Sequence, residues 1–359
     1  MPGTSPAEQP PPGGGAGPLV VRFGALGDMI QLTALLRGLA GRWGRPCDVL
    51  AGSGGAPRAI LAGLDSVAEV FTLGSRRTPF LLAPEQWRVA AWLRRRGPGP
   101  VYAFEELPKV FLLLQRGGIP AERWISPREL PRGDLEHAVT YLQRLMRAEP
   151  LSWREDPPPA PAEPLPMPEL AVSAAEVADC RAWLAGRGWQ GEPVVLLQTQ
   201  SRRANRGRWP PERWAEVAAA VRRRLPAARV LLAGAPAEAP ELALLAAACG
   251  DAGVEVAASD LPLRRLLALA TLAHSCISLD TGPAHAAAVL GCPLVVLMGR
   301  ADPRRVRPLA PAQRCRVLTA WPPSRWPASR AEWEGSHRVD GIPAGEVIEA
   351  WGGLAPREG

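Results

Sequence analysis

Ser278-Leu-Asp-Thr-Gly-Pro-Ala-His-Ala-Ala-Ala-Val-Leu-Gly-Cys-Pro-Leu-Val-Val-Leu-Met-Gly299 reads as strand, turn, helix and strand in quick succession. Ile277–Leu279 have the composition of a strand end, and Asp280–Pro283 that of a turn in which Thr281 is placed to cap the next helix. Ala284–Leu290 form that helix, Gly291 ends it, and Pro293–Leu297 begin another strand. Backbone N–H groups at a helix start have no partner within the helix and carry about half a positive charge, so this unit is suited to holding an anion. Gly282 removes a side chain where a ligand approaches, and Pro283 at the first helical position gives up only an N–H that would be unpaired anyway.

A second unit of this kind opens the folded part of the chain. Leu19-Val-Val-Arg-Phe-Gly-Ala-Leu-Gly-Asp28 is a short apolar strand running into a Gly-x-x-Gly-Asp turn, and Met29–Leu39 continue as a helix with Ile30, Ala34 and Leu35 on its apolar positions. Asp28 therefore sits near a helix start, where a plain capping role competes with any chemical one.

The 359 residues suggest two domains, and 47% apolar residues are enough for two cores. Residues 1–17 are Pro, Gly and small polar residues without a charged start or an apolar run, which predicts a disordered tail rather than a signal peptide. The longest apolar stretch, Ala284–Met298, is interrupted by His285, Gly291 and Pro293 and is shorter than a membrane span of about 20 residues. Cys47, Cys180, Cys249, Cys276, Cys292 and Cys315 are scattered, with no Cys-x-x-Cys pair and no His at metal spacing. They predict reduced core thiols in a cytoplasmic protein. The net charge is +7, and Lys109 is the only lysine, so arginine supplies almost all of the positive charge. Such a balance suits a phosphorylated substrate, an anionic membrane surface or nucleic acid. No helix-turn-helix, zinc finger or aromatic RNA-binding signature supports the last of these.

Strand-like runs at Val49-Leu50, Val70–Leu73 and Val101–Phe104 alternate with helical stretches in the first half, the rhythm of a parallel sheet. Asp156-Pro-Pro-Pro-Ala-Pro-Ala-Glu-Pro-Leu-Pro-Met-Pro168 then allows neither helix nor central strand and predicts a linker. The second half restarts with helix 173–187 and strand 194–198. It continues with helix 211–224, strand 229–233, helix 237–249, strand 254–257 and helix 262–273. The expected domains are 18–155 and 169–359, joined by 156–168. Two doubly wound α/β domains would face each other across a central cleft at their carboxyl strand ends.

Four motifs occur in order: Val21-Arg-Phe-Gly-Ala-Leu-Gly-Asp-Met-Ile-Gln-Leu-Thr33, Arg208-Trp-Pro-Pro-Glu-Arg-Trp214, Leu232-Ala-Gly-Ala-Pro-Ala-Glu238, and Asp280-Thr-Gly-Pro-Ala-His-Ala-Ala-Ala-Val-Leu-Gly-Cys-Pro293. Together they resemble glycosyltransferase family 9, the lipopolysaccharide heptosyltransferases, from about residue 18 to 350. The resemblance implies a GT-B fold with two Rossmann-like domains and an ADP-activated heptose donor held mainly by the C-terminal one. It further implies an acceptor on the N-terminal domain, inversion at the anomeric carbon and no essential metal or other cofactor. The sequence contains no Asp-x-Asp metal handle. The implied partners are the nucleotide-sugar and an anionic glycolipid or glycan, not nucleic acid. The protein is expected to be cytoplasmic, with peripheral contact at the inner face of the membrane as an option. A sugar-nucleotide epimerase of the same fold, or a nucleotide-sugar binding protein without turnover, are the alternatives.

The chemistry needs a base for the acceptor hydroxyl, neutralisation of the leaving diphosphate and a nucleoside pocket. Asp28 is the candidate base. The turn Thr281-Gly282-Pro283-Ala284 offers N–H donors and a hydroxyl to the diphosphate. Asp280 suits either sugar hydroxyls or fixing the turn, since a carboxylate repels a diphosphate. His285 suits either donation to a phosphate oxygen or a packed role bonded to backbone. The family lysine before Trp-Pro is absent; Gly207 stands two residues before Trp209, and Arg206 or Arg208 is left to deliver the charge, Arg206 being preferred. Thr199 and Ser201 are further hydroxyl donors to the same anion. Glu238 suits ribose hydroxyls or the helix dipole equally. In Glu85-Gln-Trp-Arg-Val-Ala-Ala-Trp-Leu-Arg-Arg-Arg96, Trp87 and Trp92 with the terminal arginines would suit an anionic acceptor in a membrane leaflet, though arginines at a helix C-terminus are ordinary dipole partners.

Overall fold

The computed structural model describes residues 16–74, 83–97, 99–104, 108–119, 124–126, 130–148, 166–200 and 208–356. By their contacts the residues form two compact units. The first comprises 1–25, 32–132 and 139–167; the second comprises 26–31, 133–138 and 168–359.

In the first half β1 (Leu19–Arg22), α1 (Leu26–Trp43), β2 (Cys47–Gly52), α2 (Pro57–Ile60) and β3 (Val67–Leu73) are followed by α3 (Pro84–Arg96), β4 (Val101–Ala103), α4 (Pro108–Arg116), β5 (Trp124–Ile125) and α5 (Ala138–Leu145). The strands pair in parallel in the order β3-β2-β1-β4-β5. Leu19, Val21, Leu50, Val101 and Ala103 pack with Val89, Leu93, Val110 and Leu114 of the covering helices. The Glu85–Arg96 stretch is divided by this packing. Trp92 is buried, with its indole N–H donating to Glu69 Oε2 at 2.6 Å, and Arg96 is paired with Asp48 at 2.7 Å, while Trp87 stays 46% exposed.

The second half runs α6 (Ala174–Gly186), β6 (Val194–Gln198), α7 (Pro211–Arg224), β7 (Arg229–Ala233), α8 (Ala239–Cys249), β8 (Val254–Ala257) and α9 (Leu263–Leu272). It continues with β9 (Ser275–Leu279), α10 (Gly282–Val289), β10 (Leu294–Leu297), α11 (Pro303–Val306), β11 (Cys315–Leu318), α12 (Arg330–Ser336) and α13 (Ala344–Gly352). Its all-parallel sheet has the order β11-β10-β9-β6-β7-β8. A parallel strand covered on both faces must be apolar at every position, and β6 is buried throughout as Val-Val-Leu-Leu-Gln. The period of two then sorts it. Val195 and Leu197 meet Trp209, Trp214, Val217 and Val347 on one face, whereas Val194 and Leu196 meet Cys180, Leu269, Ala284 and Ala287 on the other. Each fully buried Leu or Val in these layers contributes about 1.5–3 kcal/mol relative to exposure.

The strands expected from sequence are present, with β5 and β11 in addition. Helix α1 begins at Leu26, earlier than the turn composition suggests, so Asp28 is its third residue rather than its cap. The six cysteines are free thiols, all buried except half-buried Cys249. Of the Pro-rich linker only 166–168 lies within the described residues. No helix among the described residues is long and apolar enough to cross a membrane.

Candidate functional site

In an open parallel sheet, ligands bind outside the carboxyl ends of the strands where the winding order reverses. In the first unit β1 and β4 flank that point, and β1 runs directly into the turn that starts α1. In the second it falls between β6, which ends at Gln198, and β9, which ends at Leu279. Both glycine turns singled out by the sequence therefore occupy the switch point of their own sheet.

The first turn of α1, residues 26–31, belongs by its contacts to the second unit. Two glycines make that contact. A Cβ on Gly282 would sit 2.4–2.6 Å from Leu26 Cδ2, Cβ and Cγ, and a Cβ on Gly27 would sit 2.8 Å from His285 Cδ2. The starts of α1 and α10 thus approach to a distance that only hydrogen at both α-carbons permits. Half-buried Asp28 follows immediately after Gly27.

On the α10 side, Asp280 is fixed by its N–H donating to Leu297 O at 3.1 Å. Its Oδ1 lies 3.9 Å from His285 Nε2, with both side chains about nine-tenths buried (10% and 9% exposed). A protonated His285 would complete an ion pair there, next to the positive end of α10. Thr281 is the N-cap residue, but its hydroxyl does not cap the helix. It turns back toward Leu279 O at 3.3 Å and Ser278 Oγ at 3.4 Å, a correction to the expected cap. The Ala284 N–H is likewise engaged, donating to Thr281 O at 3.1 Å. With Pro283 lacking a donor, the first turn of α10 presents the Gly282 N–H as its open one among the described residues.

The remaining residues divide. Thr199, 7% exposed, follows β6 directly and takes a long 3.5 Å contact from Gln200 Nε2. Ser201 and Arg206 lie outside the described residues. Arg208 forms an exposed ion pair with Glu241 at 2.7 Å, while its neighbour Trp209 is core, donating from Nε1 to Ile342 O at 2.9 Å and meeting Trp214 edge-on at 4.8 Å. Glu238 accepts the Ala235 N–H on Oε2 at 2.6 Å and so braces the turn after β7. Sequence reasoning passed over the pairing of Gly27 with His285 and of Gly282 with Leu26, which no local pattern announces. No cluster of three or more metal-ligating side chains occurs among the described residues.

The fold matches that of several solved structures. A family 9 glycosyl transferase from Veillonella parvula superimposes with a TM-score of 0.75 at 18% identity, over 93% of this chain and 96% of that one. The E. coli ADP-heptose lipopolysaccharide heptosyltransferase II gives 0.69 at 21% identity over 94% and 97%, and E. coli heptosyltransferase WaaC with ADP gives 0.65 at 19% identity over 92% and 98%. No curated protein matches the chain in sequence. Two parallel sheets, each with a glycine turn at its switch point, have the GT-B fold of the heptosyltransferase structures that the chain matches. Residues 160–327 match the model of glycosyltransferase family 9 (heptosyltransferase). The matched segment is somewhat less than half of the chain.

Proposed function

We propose that this chain transfers a heptose from an ADP-sugar to a lipopolysaccharide core or related glycan, with inversion and without a metal. The observation that carries the reading is the convergence of Gly27-Asp28 on the Asp280–His285 turn, with both approach points reduced to glycine. In the reaction Asp28 takes the proton of the acceptor hydroxyl as its oxygen bonds to the anomeric carbon, and the bond from that carbon to the diphosphate breaks. The Gly282 N–H and the positive start of α10 face the charge that develops on the leaving ADP. Asp280 and His285 form one unit beside it, the carboxylate accepting from sugar hydroxyls and the imidazole held by it. Arg206 is the candidate for the missing family lysine, because Arg208 is already paired with Glu241. The heptosyltransferases of matching fold, one of them with ADP, support the choice of donor. The acceptor is taken to be anionic, in keeping with the net charge of +7.

The test is incubation of the protein with ADP-heptose and a lipopolysaccharide core acceptor, with and without EDTA, following ADP release and acceptor mass. Gain of one heptose at a rate indifferent to EDTA is the expected result. Turnover only with another nucleotide-sugar would overturn the donor, and loss of turnover on chelation would overturn the metal-free mechanism.

A further inference from the structure

We propose that the outward face of α3 and α4 is a seat for an anionic lipid surface, with Trp87 and Leu112 entering the headgroup region and Arg88, Arg94 and Arg95 meeting lipid phosphates. Both helices cover the same side of the first sheet: Val89, Ala90 and Leu93 of α3 and Val110, Leu113 and Leu114 of α4 share one core with β1, β2 and β4. They meet near their C-terminal ends, where a Cβ on Gly117 would sit 2.6 Å from Leu93 Cβ. Each runs back along the strands that it joins, so the two are parallel to one another. Counting back from that contact by equal steps on both helices puts Trp87 level with Phe111 and its neighbour Leu112.

The exposed side chains on this face are apolar or basic. Trp87, Arg88, Arg94 and Arg95 point outward from α3 at helical spacing, as do Lys109 and Leu112 from α4. Trp87 is 46% and Leu112 42% exposed, a pair on adjoining helices rather than the single scattered apolar residues of an ordinary surface. Glu85, the one carboxylate of α3, is engaged with the Gly74 N–H at 2.8 Å, and α4 has none. From 75 to 119 the sequence carries eight basic residues against three acidic ones, so the charge complements an anion. The helix dipole accounts for arginine only in the last turn, and there Arg96 is already paired with Asp48. Arg88, on the second turn, gains nothing from it. Nucleic acid would satisfy the arginines and could stack on Trp87, but Leu112 has no flat face for a base. Apolar side chains at the acyl boundary with basic ones at the phosphates are how a peripheral helix holds an anionic leaflet. Trp87 and Leu112 lie in the early turns of helices that follow β3 and β4, toward the carboxyl ends of the strands, so a bilayer seated there brings lipid-borne molecules to the edge where β1 ends.

The experiment is cosedimentation of the full chain with vesicles of phosphatidylcholine alone and of phosphatidylcholine with about 30 mol% phosphatidylglycerol, at low and high salt. Wild type should bind the anionic vesicles, leave the neutral ones in solution and be released by salt. Arg88→Gln/Arg94→Gln/Arg95→Gln should weaken binding on the order of 100-fold, about fivefold per arginine. Trp87→Ala and Leu112→Ser should each weaken it about tenfold. Arg181→Gln/Arg223→Gln/Arg316→Gln removes the same charge from exposed positions of the second unit and should bind nearly as well as wild type. All variants should melt close to wild type, since the changed side chains are exposed. No binding of wild type to anionic vesicles, equal loss in the second-unit triple, or full binding by both Trp87→Ala and Leu112→Ser would overturn the inference. So would tighter binding of poly(U) RNA than of vesicles through the same three arginines, which would make this a nucleic-acid face. The vesicles carry no sugar, so the result is independent of the donor and acceptor proposed above, and a failure of sugar transfer leaves it standing.

Discussion

Replacing Gly282 with Ala places a methyl carbon 2.4 Å from Leu26 Cδ2, 2.5 Å from its Cβ and 2.6 Å from its Cγ. Carbon atoms settle at about 3.5–4.0 Å, so relief requires a shift of about 1–1.5 Å. Rotation of the leucine side chain frees only Cγ and Cδ2. The Cβ is fixed to the backbone of α1, so the first turn of that helix must move, carrying Gly27 and Asp28 with it. Gly282 does not have a positive φ, so the new side chain adds no backbone strain of its own. Overpacking costs about 1–3 kcal/mol, partly offset by the roughly 1 kcal/mol that Ala gains over Gly within a helix. The fold therefore survives, while a displacement of about 1 Å in a reacting group costs on the order of 100-fold in rate. Gly282→Ala should lower kcat/KM for sugar transfer by that factor with only a few degrees lost in Tm. The second-site test is sharper. Leu26→Gly removes all three clashing atoms and should restore most of the rate in the Gly282→Ala background, whereas Leu26→Ala keeps the Cβ and should not. Wild-type turnover by Gly282→Ala, or equal rescue by both Leu26 variants, would refute the reasoning.

Asp28→Asn should reduce transfer by about 10²–10⁴-fold with ADP affinity nearly intact, read by single-turnover assay and calorimetry; unchanged turnover removes Asp28 as the base. Trp209→Ala should destabilise the protein by about 3–5 kcal/mol in urea unfolding. Trp209→Phe should cost only about 1 kcal/mol, because Arg213 Nη1 also donates to Ile342 O at 2.7 Å and keeps that carbonyl paired. Glu176 accepts the Ser173 N–H at 2.8 Å and both Arg264 Nε and Nη2 at 2.6 Å. The Arg264 guanidinium chiefly, helped by the Ser173 cap, pulls its carboxyl from 4.5 down to about 2. A carboxylate with a depressed folded value stabilises the protein fully above pH 4.5, and that contribution is lost as pH falls from there toward 2. Wild type should therefore lose on the order of 1–2 kcal/mol more than Glu176→Gln between pH 6 and pH 3, after solvent screening of this partly exposed pair. Parallel unfolding midpoints for the two proteins across that range would contradict the assignment.

Elements whose signal is local were legible. Strand 194–198, helix 211–224 and strands 229–233 and 254–257 coincide with their expected bounds, because apolar runs, helical periodicity and proline starts are written in neighbouring residues. The short β5 and β11, of two and four residues, carry too little pattern to stand out and are held by their parallel neighbours β4 and β10. The site divides in the same way. Asp28, Asp280 and the two glycine turns could be singled out because their turn chemistry is local, and their placement at switch points follows from strand order. The sequence could not show that the Thr281 hydroxyl turns back to Leu279 O, that the Ala284 N–H is already used, or that Glu238 braces Ala235. Residues 201–207, which include the candidate Arg206, lie outside the described residues.

By itself the sequence determined two parallel-sheet halves, each opening an anion-suited helix, since periodicity and capping act over a few residues. Only the tertiary structure decided that Gly27 meets His285 and that Gly282 meets Leu26. Such contacts join residues more than 200 positions apart, and their energy arises from packing that no local pattern encodes.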